Sequence, residues 1–205
     1  MFIHELVGTE DNVPYQQLAA ANLGRQYSFL RSVVEASISL DQTVLSIEVL
    51  KALNFHAIAC LHFSAGVFRP CEVTVGPHVP IAHFQVPSVM QMFTNEVNRL
   101  WESADAILLA AYVLWRINYI HPFVNGNGRT ARAACHLVLC MKSGGWLRGE
   151  VLLPELLRRD REEYVAALRH ADASLKSGPV DLGPLHALLQ RLLSEQLASS
   201  DAQTA

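Results

Sequence analysis

The chain has 205 residues, enough for one domain with an appendage at about 150 residues per domain. Hydrophobic residues make up 51% and charged residues 17%, which excludes a disordered chain. A formal net charge of −3 excludes a large basic surface for nucleic acid. Thirteen of the 16 cations are arginine, a bias toward planar, bidentate contacts with anions. The most suspicious apolar stretch, Ala106 to Trp115, is bounded by Asp105 and Arg116 and falls far short of the ~20 residues of a membrane span. The start, MFIHELVGTEDNVP, has no basic segment leading into an apolar one, so no signal peptide is expected. Cys60, Cys71, Cys135 and Cys140 show no paired spacing and read as reduced core thiols of a soluble, cytoplasmic protein.

In chain order, Pro14 opens a helix over 14–36, with Leu18, Leu23, Leu30 and Val34 at rough helical spacing. Ser39 or Asp41 caps a second helical stretch over 39–63, which sets Val44, Ile47, Leu50 and Leu53 on one face. The segment AGVFRPCEVTVGPHVPIAHFQVPS then brings four prolines, two glycines and alternating β-branched residues. It predicts a loop holding a short hairpin, Cys71 to Phe84, that turns at Gly76-Pro77. Helices resume over 89–101, 104–120 and 130–142, where Ser143 and two glycines stop the last of them. Two more follow over 154–176 and 184–197, and the remainder is expected to fray. Trp101 and Trp115 fall on apolar helix faces and read as core. His56, His62, His78 and His83 flank the hairpin without metal-ligand spacing, and His136 between Cys135 and Cys140 lacks the second half of a zinc pattern. The fold class is all-α with one inserted β-hairpin.

Chemistry concentrates in His121-Pro-Phe-Val-Asn-Gly-Asn-Gly-Arg-Thr-Ala-Arg132. Pro122 disfavours helical geometry at His121, so the preceding helix stops there. Asn125-Gly-Asn-Gly128 offers a turn whose backbone can curl around a ligand, and a new helix begins near Gly128 or Arg129. A glycine-rich loop feeding a helix N-terminus is an anion site, because free N–H groups and the helix dipole point at the ligand. Arg129 and Arg132 project on one side of the first turn, an arrangement that suits a polyphosphate better than a lone carboxylate. His121, at the rim, is the natural base.

HPFVNGNGRTAR resembles the signature of Fic-domain proteins, HPFx[D/E]GNGRxxR, at every specified position but one. INYI before it, AGVFRPCEVTVG and REEYVAALRHAD extend the resemblance over residues 45–190. It implies a Fic-type helical bundle, with an N-terminal stretch over 1–44, the Fic domain over 45–193 and a disordered tail over 194–205. It also implies a protein adenylyltransferase that moves AMP from ATP to a Ser, Thr or Tyr hydroxyl of a target protein. In that reading His121 deprotonates the hydroxyl and Phe123 packs inward. Gly126, Asn127 and Gly128 surround the phosphates, and Arg129 and Arg132 clamp them. The flap, including Val73, Thr74 and Val75, holds a target segment by strand addition. Tyr164 either stacks near the adenine or packs in the core, and Arg69 either anchors the hairpin base or is solvated. Partners are ATP and a protein, with neither nucleic acid nor membrane, and the apolar helix faces permit a homodimer.

The departure is Asn125, where the resemblance implies an Asp or Glu that holds Mg²⁺ or Mn²⁺. A neutral carbonyl oxygen ligates a hard cation without the charge. Three outcomes stay open: AMP transfer with weaker metal affinity, transfer of another phosphate-containing group, or a nucleotide-binding regulatory protein with little activity. A partial match to the inhibitory pattern [S/T]xxxE[G/N] at Arg31-Ser-Val-Val-Glu-Ala36 implies that Glu35 pairs with Arg132 as an internal brake. The competing reading pairs Glu35 with Arg31 on its own helix.

Overall fold

The computed structural model describes residues 2–42, 45–76 and 78–201. A short helix α1 (Ile3–Val7) precedes α2 (Val13–Ser39), α3 (Ile47–Ile58), α4 (Val86–Leu100), α5 (Ala106–Ile120), α6 (Asn127–Lys142), α7 (Leu153–Arg159), α8 (Arg161–Ser177) and α9 (Gly183–Asp201). None of these helices is long and apolar enough to cross a membrane.

The architecture is centred on α6. From Ala133 to Met141 every side chain is buried, the pattern of a helix enclosed on all sides rather than of a surface helix. Its most extensive partner is α5, where Leu109, Leu114, Trp115 and Ile117 are buried. Helices α2 and α3 close one side of α6, α7 closes another, and α9 packs on α5, α7 and α8. Each buried Leu, Val or Ile contributes about 1.5–3 kcal/mol relative to exposure, so this shared core is the main source of stability. Leu30 and Val34 of α2 belong to it, so the helical part of the N-terminal stretch is built into the bundle. Trp101 and Trp115 are core, as their helix faces indicate, and the Trp115 indole N–H donates to Asp172 Oδ1 at 2.8 Å.

Local chemistry sets the helix ends. Pro14 lies in the first turn of α2, where its missing N–H costs nothing. Asp105 caps α5 by accepting from Leu108 N. The second helical stretch starts later than expected: the cap is Ser46, whose hydroxyl accepts from Val49 N at 3.2 Å, rather than Ser39 or Asp41. Val44 lies outside the described residues. The single helix expected over 154–176 is two, broken at Asp160, which leaves helical geometry and gathers Arg159 and Arg191. The tail expected to be disordered from residue 194 is helical as far as Asp201, because Gln196 is buried and bonded; residues 202–205 lie outside the described residues. Cys135 and Cys140 are buried, whereas Cys60 and Cys71 are exposed.

The described residues do not show the inserted hairpin. Among the described residues there is no β-strand, only isolated bridges between Phe68 and Phe123 and between Val75 and His78. Pro70 and Pro80 supply no N–H to a ladder, and Pro77, at the expected turn, lies outside the described residues. The segment between Arg69 and Ala82 is an extended loop pinned at both ends.

Burial pushes the His136 imidazole down to about 4, with Nδ1 lacking a partner and the ring edge-on to Trp146. The unfolded chain binds the proton more tightly, so stability falls as pH drops below the ordinary histidine value near 6.5 and is lost progressively toward 4. Urea unfolding between pH 7 and pH 4 is expected to show this loss, about 3 kcal/mol at most from this residue. His136→Leu is expected to flatten the slope.

Candidate active site

The site lies at the junction of α5 and α6. His121 follows the last residue of α5 in the left-handed region (φ 52°), a costly conformation for a residue other than glycine, held by the backbone bond from its N–H to Ile117 O at 3.0 Å. Its carbonyl accepts from Arg69 Nε at 2.8 Å. The Asn118 carbonyl lies 3.4 Å from Nδ1, an acceptor that places the ring proton there and leaves Nε2 as the basic nitrogen. Burial pushes the ring down to about 4, so the imidazole is neutral at pH 7.

The loop after His121 is braced from inside. Asn127 spans it, accepting from Phe123 N at 2.9 Å through Oδ1 and donating to Phe123 O at 2.8 Å through Nδ2. The Phe123 ring is fully buried against Phe68, at 5.7 Å between centroids. Asn54 of α3 reaches across, donating to Asn125 O at 2.9 Å and to Thr130 Oγ1 at 3.3 Å while accepting from Gly66 N. Gly126 has φ 78° and sits so close to α3 that an added Cβ would lie 2.7 Å from the Ile58 side chain. That position admits only glycine.

Helix α6 begins at Asn127, and its first i→i−4 bond is Thr130 N–H to Gly126 O. The N–H groups of Asn127, Gly128 and Arg129 therefore open the helix ahead of its own ladder, the arrangement of an anion site. Arg132, one turn in, has a buried Nε without a hydrogen-bond partner. Its Nη1 lies 3.2 Å from where a Cβ on Gly128 would stand, so the guanidinium covers the start of the helix. Arg129 is placed differently. It donates to Ala57 O at 3.0 Å and to Asn125 Oδ1 at 3.0 Å, bracing the loop to α3.

The structure therefore gathers His121, Gly126, Asn127, Gly128, Arg129, Arg132 and Asn125 in one loop and helix start. One expected member, Glu35, is elsewhere. Glu35 stands on the solvent face of α2 and pairs with Arg31 at 2.8 Å, one turn back; it does not reach Arg132. Helical phase explains this, since the adjacent Val34 occupies the buried face. Tyr164 is 4% exposed, and its hydroxyl accepts from Asn118 Nδ2 at 2.9 Å and bonds the Arg132 side chain, so it joins α8 to α5 and to the first turn of α6. Val73, Thr74 and Val75 lie in the loop that replaces the hairpin.

The Fic/DOC family model matches residues 44–139, a span that contains this loop and both helices around it. The chain carries a Fic domain. It is 31% identical over 132 residues to the protein adenylyltransferase Fic of Drosophila persimilis, covering 62% of this chain and 25% of that protein. It is 32% identical over 138 residues to the protein adenylyltransferase Fic of Nematostella vectensis, covering 66% and 29%. The chain thus spans about a quarter of the length of these curated relatives. Its fold is shared with a Fic-domain-containing signaling protein from Bacteroides thetaiotaomicron (TM-score 0.68, 18% identity, 90% of this chain and 74% of that one). It is shared as well with Fic-1 from C. elegans (TM-score 0.67, 24% identity, 89% and 50%).

Residues that a linear reading undervalues complete the Fic loop. Asn54, Asn118 and Arg69 act through long-range bonds that no spacing announces, and Glu10, outside any motif, accepts from Asn125 Nδ2 at 3.1 Å. Gly126→Ala is expected to cost about 1–3 kcal/mol through the left-handed backbone, and more from the clash with α3. Chemical denaturation monitored beside nucleotide binding is expected to show both quantities fall together.

Proposed function

We propose that this Fic domain transfers the AMP of ATP onto a Ser, Thr or Tyr hydroxyl of a target protein. The observation that carries the reading is a neutral histidine at the end of one helix, a few residues before a helix start whose leading N–H groups stand beside the Arg132 guanidinium. The α- and β-phosphates would lie on the N–H groups of Asn127, Gly128 and Arg129, with Arg132 on the polyphosphate. His121 Nε2 takes the proton from the target hydroxyl as its oxygen attacks the α-phosphorus. The bond to the β-phosphate oxygen breaks, and pyrophosphate leaves with its charge spread over the arginine and the amides. Desolvation suits His121 to this: it is unprotonated before the reaction and gains its proton only in the transition state. The loop between Arg69 and Ala82 would hold target backbone along Val73, Thr74 and Val75.

A divalent cation ordinarily neutralises the phosphates in such a transfer. Asn125 does not fit as its ligand in the observed geometry. Its oxygen accepts from Gly126 N at 2.6 Å and from the Arg129 guanidinium, and a cation there would stand against another cation. This favours a second reading in which metal use, and with it transfer, is weak and nucleotide binding dominates.

Incubation with α-labelled and γ-labelled ATP separates these readings. Label on protein from the α position alone supports AMP transfer, and label from the γ position alone supports phosphate transfer instead. Retained binding without label supports the regulatory reading. His121→Ala is expected to abolish protein labelling while leaving ATP binding within about threefold, a difference below 1 kcal/mol. The acid limb of kcat/KM is expected to lie near 4, below the ordinary histidine value, and a limb at 6.5 would remove His121 from the role of base.

A further inference from the structure

The N-terminal arm lies against the Fic loop. Its backbone is clipped to the end of α3, with Ile3 N–H donating to Cys60 O and His4 N–H to Leu61 O, each at 3.1 Å. The His4 ring stacks on His62, and His62 Nε2 lies 2.8 Å from Tyr15 Oη. This platform carries Glu10 to the loop. Its Oε1 accepts from Asn125 Nδ2 at 3.1 Å and lies 3.4 Å from His62 Nε2, and the carboxylate is 52% exposed. Partial burial pushes the Glu10 carboxyl up, but bonds from Asn125 and Tyr15 and the Arg129 charge outweigh it and hold the group below the usual carboxylate range.

The orientation of Asn125 follows from its neighbours. Two donors, Gly126 N–H and Arg129, face one end of its amide, and one acceptor, Glu10, faces the other. An aspartate in this place would turn a carboxylate oxygen toward another carboxylate. Asn125 and Glu10 are therefore complementary, and the negative charge of the loop stands at position 10 rather than 125. A polyphosphate-bound magnesium ion keeps several waters and takes one or two protein carboxylates. Among the described residues, the carboxylate bonded to the phosphate loop is that of Glu10, and its exposed side is open to a ligand.

We propose that Glu10, delivered by the N-terminal arm and steered by Asn125, is the residue that takes the divalent cation of the metal–nucleotide. This rests on the nucleotide reading above.

The test measures binding, not transfer. Mn²⁺ titrations followed by electron paramagnetic resonance, and calorimetry with α,β-methylene ATP, are run on the full chain. The variants are Glu10→Gln and Glu10→Asp, with melting curves to confirm folding. Glu10→Gln is expected to weaken Mn²⁺ binding in the nucleotide complex by about tenfold or more, and to change metal-free nucleotide affinity by less than about threefold. Glu10→Asp, which keeps the carboxylate, is expected to retain Mn²⁺ binding. The proposal is overturned by unchanged Mn²⁺ affinity in Glu10→Gln. It is equally overturned by a gain in nucleotide affinity of the same size with and without Mn²⁺, which would mark Glu10 as an anion competing for Arg129. Failure of the wild type to bind the nucleotide at all overturns the nucleotide reading and this inference with it.

Discussion

A guanidinium taken out of water must find acceptors for its donors or cost several kcal/mol. Arg69 is 2% exposed and meets that demand almost entirely with backbone carbonyls: His121, Cys71 and Ile81, with Glu72 at the edge. Those carbonyls belong to three stretches that have no ladder to hold them together. His121 at the end of α5, the start of the loop after Arg69 and its return are all positioned by one planar fork. The left-handed backbone at His121 persists because its carbonyl is held on one side by Arg69 while its N–H stays in α5 on the other. Lysine carries the same charge but cannot present donors in several fixed directions at once.

From that anchor the loop is built inward. Phe123 plugs the core, Asn127 ties the Phe123 backbone to the start of α6, and Asn54 holds the outer backbone to α3. The side chains are thus occupied with the loop itself, which leaves the leading amides of α6 ahead of the helix ladder, with the Arg132 guanidinium over the helix start. Rigid bracing of this kind is what electrostatic stabilisation requires, since donors that must reorganise during the reaction lose most of their value. Arg129, in this arrangement, is structural first: its two bonds fix the distance between α3 and the loop.

Much of this was legible in the residues, and the exceptions have physical causes. Apolar spacing located the helices around the site, because α5 and α6 are buried over most of their length and Pro122 marks the boundary. The turn at Gly126–Gly128 and the helix start after it were legible because backbone conformation there is dictated by glycine. The hairpin was not, since alternation of β-branched residues says nothing about whether donors exist to pair them, and the prolines remove donors. Glu35 illustrates a match of residue types without phase: its place one turn after Arg31, on the side away from Leu30 and Val34, decides its partner. Glu10 stands at the other extreme, joined to Asn125 across 115 positions by a bond that only the clip of the arm onto α3 makes.

Gln196 gives the fold its seam. Its amide accepts from Leu153 N and donates to Leu147 O, so a side chain of α9 stitches the connection between α6 and α7, where the backbone has no helix of its own. Gly149 lets the two chains touch, for a Cβ there would stand 2.4 Å from the Gln196 side chain. The stitch joins positions 49 residues apart. During synthesis, the central helix and the loop before it leave the ribosome well before the residue that locks their far end, and the earlier helices wait with an unsealed apolar flank. Completion of α9 is therefore the moment at which this flank stops being a surface other chains can stick to.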